Sequence, residues 1–382
     1  MRLLFIRWAS FMRWGIERAF VKLNINYEVF EYNFIDWESD DNFCEILHDR
    51  LRSSRYDMVF SVNFMPLASD VCQEAQVKYV SWIYDNPLHI RNLNPLLNSC
   101  NEVFFFDRCQ AEQFAAAGVN AHHLTLASSP KVFDEAVEGI ISKNVEQYKA
   151  DISMVGQLYR TDFGAYSSVL EPYLKGYLEG IISAQSKVYG AYLIPELIGG
   201  DLLEAVNACY EKKINGFKMQ FRELEYMLAC EVTNRERQLV MALLAAYYDT
   251  VLYSGEDVEG IKGLRCGGYV DYLTQMPLVF SRSKINLNVS LKSIQSGIPL
   301  RVLDIMACGG MVLTNYQEEI AEYLYPGECC VIYESIEDMY EKAKFYLEHE
   351  SDREKIAAAG RELIEQNFTF EDRIRTMFLS NT

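Results

Sequence analysis

Several things are missing from this sequence, and each absence narrows what the protein does. No apolar run approaches the roughly 20 residues that a membrane-crossing helix needs. The opening MRLLFIRWASF is too short in apolar length for a secretory leader and reads as a first strand. Ten cysteines are scattered without any C-x-x-C, and only Cys329 and Cys330 are adjacent. That usage fits a reducing, cytoplasmic setting rather than a disulfide framework. The five histidines, His48, His89, His122, His123 and His349, show no metal-ligand spacing, so no structural or catalytic zinc is expected. Positive charge is scarce: 36 Lys and Arg face 54 Asp and Glu, a formal charge of −18. Such a surface repels phosphate backbones and argues against a nucleic-acid partner, although a local basic pocket is compatible with it. No repeat or low-complexity segment is visible.

What is present is a folded chain of 382 residues, 50% hydrophobic and 24% charged, long enough for two domains. Up to about residue 130, short apolar runs alternate with amphipathic stretches: RLLFIRW, YEVFEYNF, YDMVFSVNF, VKYVSWIYD, EVFFFD and AHHLTLA. Strands alternating with helices at this spacing predict βαβ units around a parallel sheet. Runs as apolar as VFFF suit a sheet covered on both faces. A polar linker over 130–150 precedes a restart at DISMVGQLYR, then about ninety residues that read as helical, and then TVLYSG, INLNVS, GMVLTN and CCVIYES. The expected class is therefore α/β, with two doubly wound, Rossmann-like domains over 1–148 and 149–366. The second carries a helical insertion at about 161–249, and a terminal helix over 367–382 packs back on the first domain. Ser335-x-x-Asp338 and Ser351-x-x-Glu354 predict capped helix starts, and Thr369 a third.

The most informative stretch is SGIPLRVLDIMACGG, residues 296–310. Pro299 starts a helix and the Gly309-Gly310 pair stops it. Arg301 and Asp304 then share one face, either as an internal ion pair or as a bipolar ligand site. The spacing resembles the E-G-F-P-x-x-x-x-E-x-x-A-x-G donor-site pattern of GT-B glycosyltransferases, with Ser296 at the first acidic position and Asp304 at the second. VKYVSWIYDNP, DISMVGQLYR, SKINLNVS, GIPLRVLDIMACGGMVLTNY and the helical tail make nearly the whole chain similar to the CgeB-like bacterial glycosyltransferases.

This resemblance implies a GT-B fold, two domains facing a cleft, with a nucleotide-sugar donor held by the C-terminal domain and an acceptor by the N-terminal one. It also implies a glycan or glycoprotein acceptor. The residues support the same division. A helix N-terminus beside Gly297 suits a diphosphate, and Arg301 adds a forked positive charge. Asp304 can accept from ribose hydroxyls, as the corresponding Glu does in GT-B enzymes. Gly156 and Arg160 follow the first strand of the second domain, and Ser254 ends TVLYSG. Lys284 and Asn288 share a face of SKINLN. Gly156 as a plain turn glycine, and Asn288 as a hydrogen-bond partner of a neighbouring loop, are equally admissible.

In the first domain, Asp85 ends an apolar strand before Asn86-Pro87 and is the candidate base for the acceptor hydroxyl; its alternative is an Asx turn. Trp8, Ser10, Asn63 and His89 end strands or follow them on the same side, whereas Asp107 reads as a helix cap. No cofactor is expected beyond the nucleotide sugar, for which the UDP form is the expectation, and no metal, since the Asp-x-Asp pattern is absent. Two rival activities fit the same pattern: a sugar-nucleotide epimerase and a non-catalytic sugar-nucleotide-binding protein. Oligomeric state is not specified by any motif.

Overall fold

The computed structural model describes residues 1–138, 140, 145–213, 216–256, 258 and 260–379. The last residues of the expected 367–382 helix, part of the 130–150 linker, and residues 214–215 of the helical insertion therefore lie outside the described residues. The chain folds into two compact units. The first comprises Met1–Val132, Ser296–Ala307 and Glu362–Thr382; the second comprises Phe133–Gln295 and Cys308–Arg361.

The first unit is built on six parallel strands: β1 (Arg2–Arg7), β2 (Asn26–Glu31), β3 (Met58–Val62), β4 (Lys78–Ile83), β5 (Asn101–Phe105) and β6 (Ala121–His123). Their order is β2-β1-β3-β4-β5-β6. Every residue of β3 is buried, as expected of a central strand with helices on both faces. The helices that cross between strands include Asp41–Ser53. Asp40 caps it by accepting from the Phe43 amide at 3.0 Å. One face carries an aromatic core in which Phe5 meets Phe20 edge-on and stacks on Phe60, and Phe378 of the Phe370–Phe378 helix packs edge-on against Phe60 at 5.2 Å between ring centres.

The second unit repeats the plan with β7 (Ala150–Val155), β8 (Thr250–Tyr253), β9 (Arg265–Cys266), β10 (Ser283–Asn288), β11 (Val312–Asn315) and β12 (Val331–Tyr333). The order β12-β11-β10-β7-β8-β9 is that of a dinucleotide-binding sheet, with its reversal between β7 and β10. The ninety residues after β7 are helical, including Phe163–Ser168, Pro172–Gln185, Gly200–Lys213 and Phe221–Ala245. They bury their own core of Leu174, Leu178, Val206, Tyr210, Leu224 and Leu228. The α/β, doubly wound class expected from the sequence is the class observed.

Local signals have mixed outcomes. Ser335 caps the Ile336–Glu348 helix by accepting from the Asp338 amide at 3.0 Å, and Thr369 caps Phe370–Phe378 likewise. Ser351 caps nothing, because its helix starts one residue earlier, at Glu350. The Leu300–Ala307 helix begins after Pro299 and is ended by Gly309, whose φ of +72° suits glycine. The Ser296–Ala307 segment, expected within the 149–366 domain, packs as part of the first unit.

Candidate functional site

All strands within each sheet are parallel, so each sheet has one carboxyl edge, and ligands of such folds gather there. In the first unit this edge collects Trp8 after β1, Asn63 after β3, Tyr84 and Asp85 after β4, and Asp107 after β5. The strand order turns back between β1 and β3, beside Trp8 and Asn63. Trp8 donates its indole N–H to the Val62 carbonyl at 2.8 Å and packs edge-on against Trp37 at 5.0 Å. Tyr84 lies 6.0 Å from the Trp8 ring.

Asn63 has a left-handed backbone, φ +59°. Its side chain donates to Asp85 Oδ2 at 2.6 Å and accepts from the Tyr84 amide at 3.0 Å. Burial raises the Asp85 carboxyl above its ordinary value, while the Asn63 hydrogen bond and the nearby charge of His89 pull it back. His89 is itself exposed. Ser10 is buried, and its hydroxyl has no hydrogen-bond partner among the described residues. Four of the expected acceptor-side and catalytic residues, Trp8, Asn63, Asp85 and His89, thus form one neighbourhood.

A second neighbourhood on the same edge involves the Ser296–Ala307 segment. Asp107, fully buried, caps the Arg108–Ala116 helix through the Gln110 amide at 3.1 Å. It also accepts from the Ser296 hydroxyl at 3.0 Å, the Ser296 amide at 3.2 Å and the Asn86 side chain at 3.1 Å. Gly297 lies so close that a Cβ there would stand 2.9 Å from Asp107 Cα and from the Phe106 ring. Asp304 is 1% exposed and accepts from the Ser128 hydroxyl at 2.8 Å. Arg301 is half-buried. Neither Ser128 nor the Ser296 bonds to Asp107 follow from the sequence; a buried carboxylate needs donors, but their positions along the chain are arbitrary.

In the second unit, Gly156, Arg160, Ser254 and Asn288 follow or end β7, β8 and β10 at the carboxyl edge. Gly156 has φ +151°, Arg160 is exposed, and the Ser254 hydroxyl accepts from the Glu256 amide at 3.1 Å. Asn288 donates to Thr314 Oγ1 of the adjacent strand β11 at 2.9 Å and to Ser290 Oγ at 3.1 Å. Lys284 sits at the opposite end of β10, paired with Asp151 at 2.8 Å. Gly309 and Gly310 lead into the amino end of β11, also away from the carboxyl edge.

The sheet reversal between β7 and β10 is occupied by a side chain that sequence reading missed. Arg237, buried, donates to the Val289 and Gln157 carbonyls, its Nε at 3.1 Å from Val289 O. Its guanidinium lies 4.7 Å from the Tyr159 ring. On the same helix, Asn234 donates to Leu158 O at 2.9 Å and Thr233 accepts from the Lys292 amide at 3.0 Å. Glu236 and Lys292 form a buried ion pair at 2.7 Å, with the Tyr189 hydroxyl donating to the other Glu236 oxygen at 2.8 Å. A polar run, T-N-R-E-R, inside a helix was the available signal. Among the described residues no group of three or more His, Cys, Asp or Glu is placed to hold a metal ion.

Known proteins share this fold. Sucrose-phosphate synthase of Thermosynechococcus elongatus matches with a TM-score of 0.55 over 99% of this chain and 97% of its own, at 9% identity. HepE of Anabaena, solved in complex with UDP-glucose, gives 0.51 over 99% and 98%, at 12% identity. The lipopolysaccharide outer core galactosyltransferase WaaB gives 0.52 over 100% of both chains, also at 12%. The fold is GT-B. Within this GT-B chain, residues 215–378 match the glycosyl transferase-like family. An uncharacterised protein of Aquifex aeolicus (strain VF5) is 24% identical over 198 residues, 50% of this chain. The chain spans about half the length of that relative, 46%. No helix among the described residues of the GT-B chain is long and apolar enough to cross a membrane.

Proposed function

We propose that this GT-B chain is a CgeB-like glycosyltransferase that moves a sugar from a UDP-sugar to a hydroxyl of a glycan or protein acceptor, without a required metal. The observation that carries the reading is Asp85, a carboxylate after β4 held by Asn63, which borders the point where the first sheet reverses its strand order. Its raised affinity for a proton suits a group that must take one from the acceptor hydroxyl as the sugar transfers. With Asp85 as base, the anomeric centre inverts. The match of residues 215–378 to a glycosyl transferase-like family supports the reaction class, and the UDP-glucose complex of HepE supports the donor class.

Arg301 and the N-terminus of its helix supply positive charge for a diphosphate; in the second unit, Arg160 carries positive charge and Gly156 leaves the backbone open to close approach. Asp304 reaches ribose only by exchanging the Ser128 hydroxyl for a sugar hydroxyl. Lys284, Gly309 and Gly310 serve the sheet and the helix end. Substitution of Asp85 by Asn tests the proposal: transfer should fall by roughly 10²–10⁴-fold with UDP affinity unchanged. A wild-type rate in the folded variant would reduce Asp85 to a turn residue. Incubating wild-type protein with UDP-sugars separates the rival activities, because an epimerase interconverts isomers and a binding protein releases no UDP.

A further inference from the structure

Asn63, just past the end of β3, stands where a residue that touches the acceptor is expected. Its geometry says otherwise, because every polar group of Asn63 is already engaged within the first unit. The backbone amide donates to Trp82 O at 2.9 Å, and the carbonyl accepts from the Ser61 hydroxyl at 2.6 Å. The side-chain oxygen takes the Tyr84 amide, and the side-chain nitrogen gives to Asp85 Oδ2. The residue is therefore clamped from four sides, next to the sheet reversal. Its left-handed backbone is one that Asn tolerates better than most residues. Asp85 Oδ1 accepts no hydrogen bond from the described residues.

We propose that Asn63 is a positioning residue that orients the Asp85 carboxylate, occupying Oδ2 so that Oδ1 is presented to the acceptor hydroxyl. The proposal rests on the reading of Asp85 as the base. The chemistry explains why the amide is needed. An Asn amide offers an acceptor to the Tyr84 N–H and a donor to Asp85 at once. Aspartate would satisfy the first and repel the second. A hydrogen bond to the charged form also offsets the burial that pushes the Asp85 carboxyl toward its neutral, useless form. The other titratable groups acting there are His89, whose charge favours the carboxylate, and Tyr84, whose phenol is pushed upward by burial and by Asp85 itself.

Asn63→Gly is the informative variant, since glycine adopts the positive φ freely and only the amide is lost. The direct readout is the pH titration of the Asp85 carboxyl carbon in ¹³C-aspartate-labelled protein, identified as the resonance absent from Asp85→Asn. Removing a hydrogen bond to the anion should move its midpoint upward by about one to two pH units. Asn63→Asp should move it at least as far, through a second negative charge. The acid limb of kcat/KM for UDP release from UDP-glucose should follow by the same interval, with UDP binding unchanged. An Asp85 resonance that titrates alike in wild type and Asn63→Gly overturns the proposal. If the resonance shifts but Asp85→Asn releases UDP at the wild-type rate, the base assignment falls, and the catalytic sense of the positioning falls with it.

Discussion

Replacing Asp107 gives a sharp test of how the Ser296 segment is held. Its two carboxylate oxygens accept, among other contacts, from the Gln110 and Ser296 amides, the Ser296 hydroxyl and the Asn86 side chain. The residue is 0% exposed, so water cannot stand in for it. Asp107→Ala would leave all four without their acceptor, at about 1–3 kcal/mol for each donor that cannot relax. The serine hydroxyl can rotate and the helix end can fray, so a total of about 3–5 kcal/mol is expected. Asp107→Asn keeps the shape. Its best amide orientation turns the new NH₂ toward the Ser296 hydroxyl, which can accept, and sacrifices the Gln110 cap. That cap and the lost charge amount to about 2 kcal/mol. Urea unfolding followed by tryptophan fluorescence reads the right part of the molecule, because Trp8, Trp14, Trp37 and Trp82 all belong to the first unit. With an m-value of about 2 kcal/mol/M, the midpoint should fall by about 2 M for Ala and about 1 M for Asn. If both variants stay within about 0.5 kcal/mol of wild type, as surface substitutions do, the network does not hold the segment.

Other expectations are simpler. Arg301→Ala should weaken UDP binding by about 1.5–3 kcal/mol in calorimetry, the range of a charge-assisted hydrogen bond; an unchanged affinity would leave Arg301 without a phosphate role. Sugar transfer should survive excess EDTA, and complete loss restored by Mn²⁺ would refute the metal-free reading. Gly15→Ala would drive a methyl into the Phe370 ring and should cost about 1–3 kcal/mol by the same fluorescence assay, with no change meaning that the ring moves freely.

The fold is legible in the sequence because its signals are local. Runs such as DMVFSVNF and EVFFFD announce buried parallel strands, and Pro299 and Gly309 mark a helix start and stop. The site is legible only in part. Asp85 and Asn63 can be placed at one edge because each ends a strand, but their mutual hydrogen bond spans 22 residues and follows only from strand order. The partner of Asp304, Ser128, is 176 residues away, and no spacing rule reaches it. Arg237 escapes sequence reading for another reason. A run of Thr, Asn, Arg and Glu on a helix normally marks a solvated face, whereas here Thr233, Asn234, Glu236 and Arg237 are buried to satisfy loop carbonyls and amides. Ser351 fails as a cap because the preceding helix ends at Glu348 and the next starts at Glu350, leaving no room for a separate cap residue.

The closure of Phe378 over Phe60 sets a timetable for synthesis. A ribosome adding about 5–20 residues per second needs about 15–60 s to travel between those two positions. During that interval Phe60 has Phe20 beside it but lacks the Phe378 ring that packs edge-on against it. A nascent chain in this state presents a greasy sheet face to every neighbouring polysome product. Holding chaperones should therefore associate with it until the Phe370–Phe378 helix emerges, and a fragment cut after Val132 should accumulate as inclusion bodies rather than as a small independent domain. Ordered translation, and not only the finished energy balance, is thus built into where this chain keeps the Phe370–Phe378 helix.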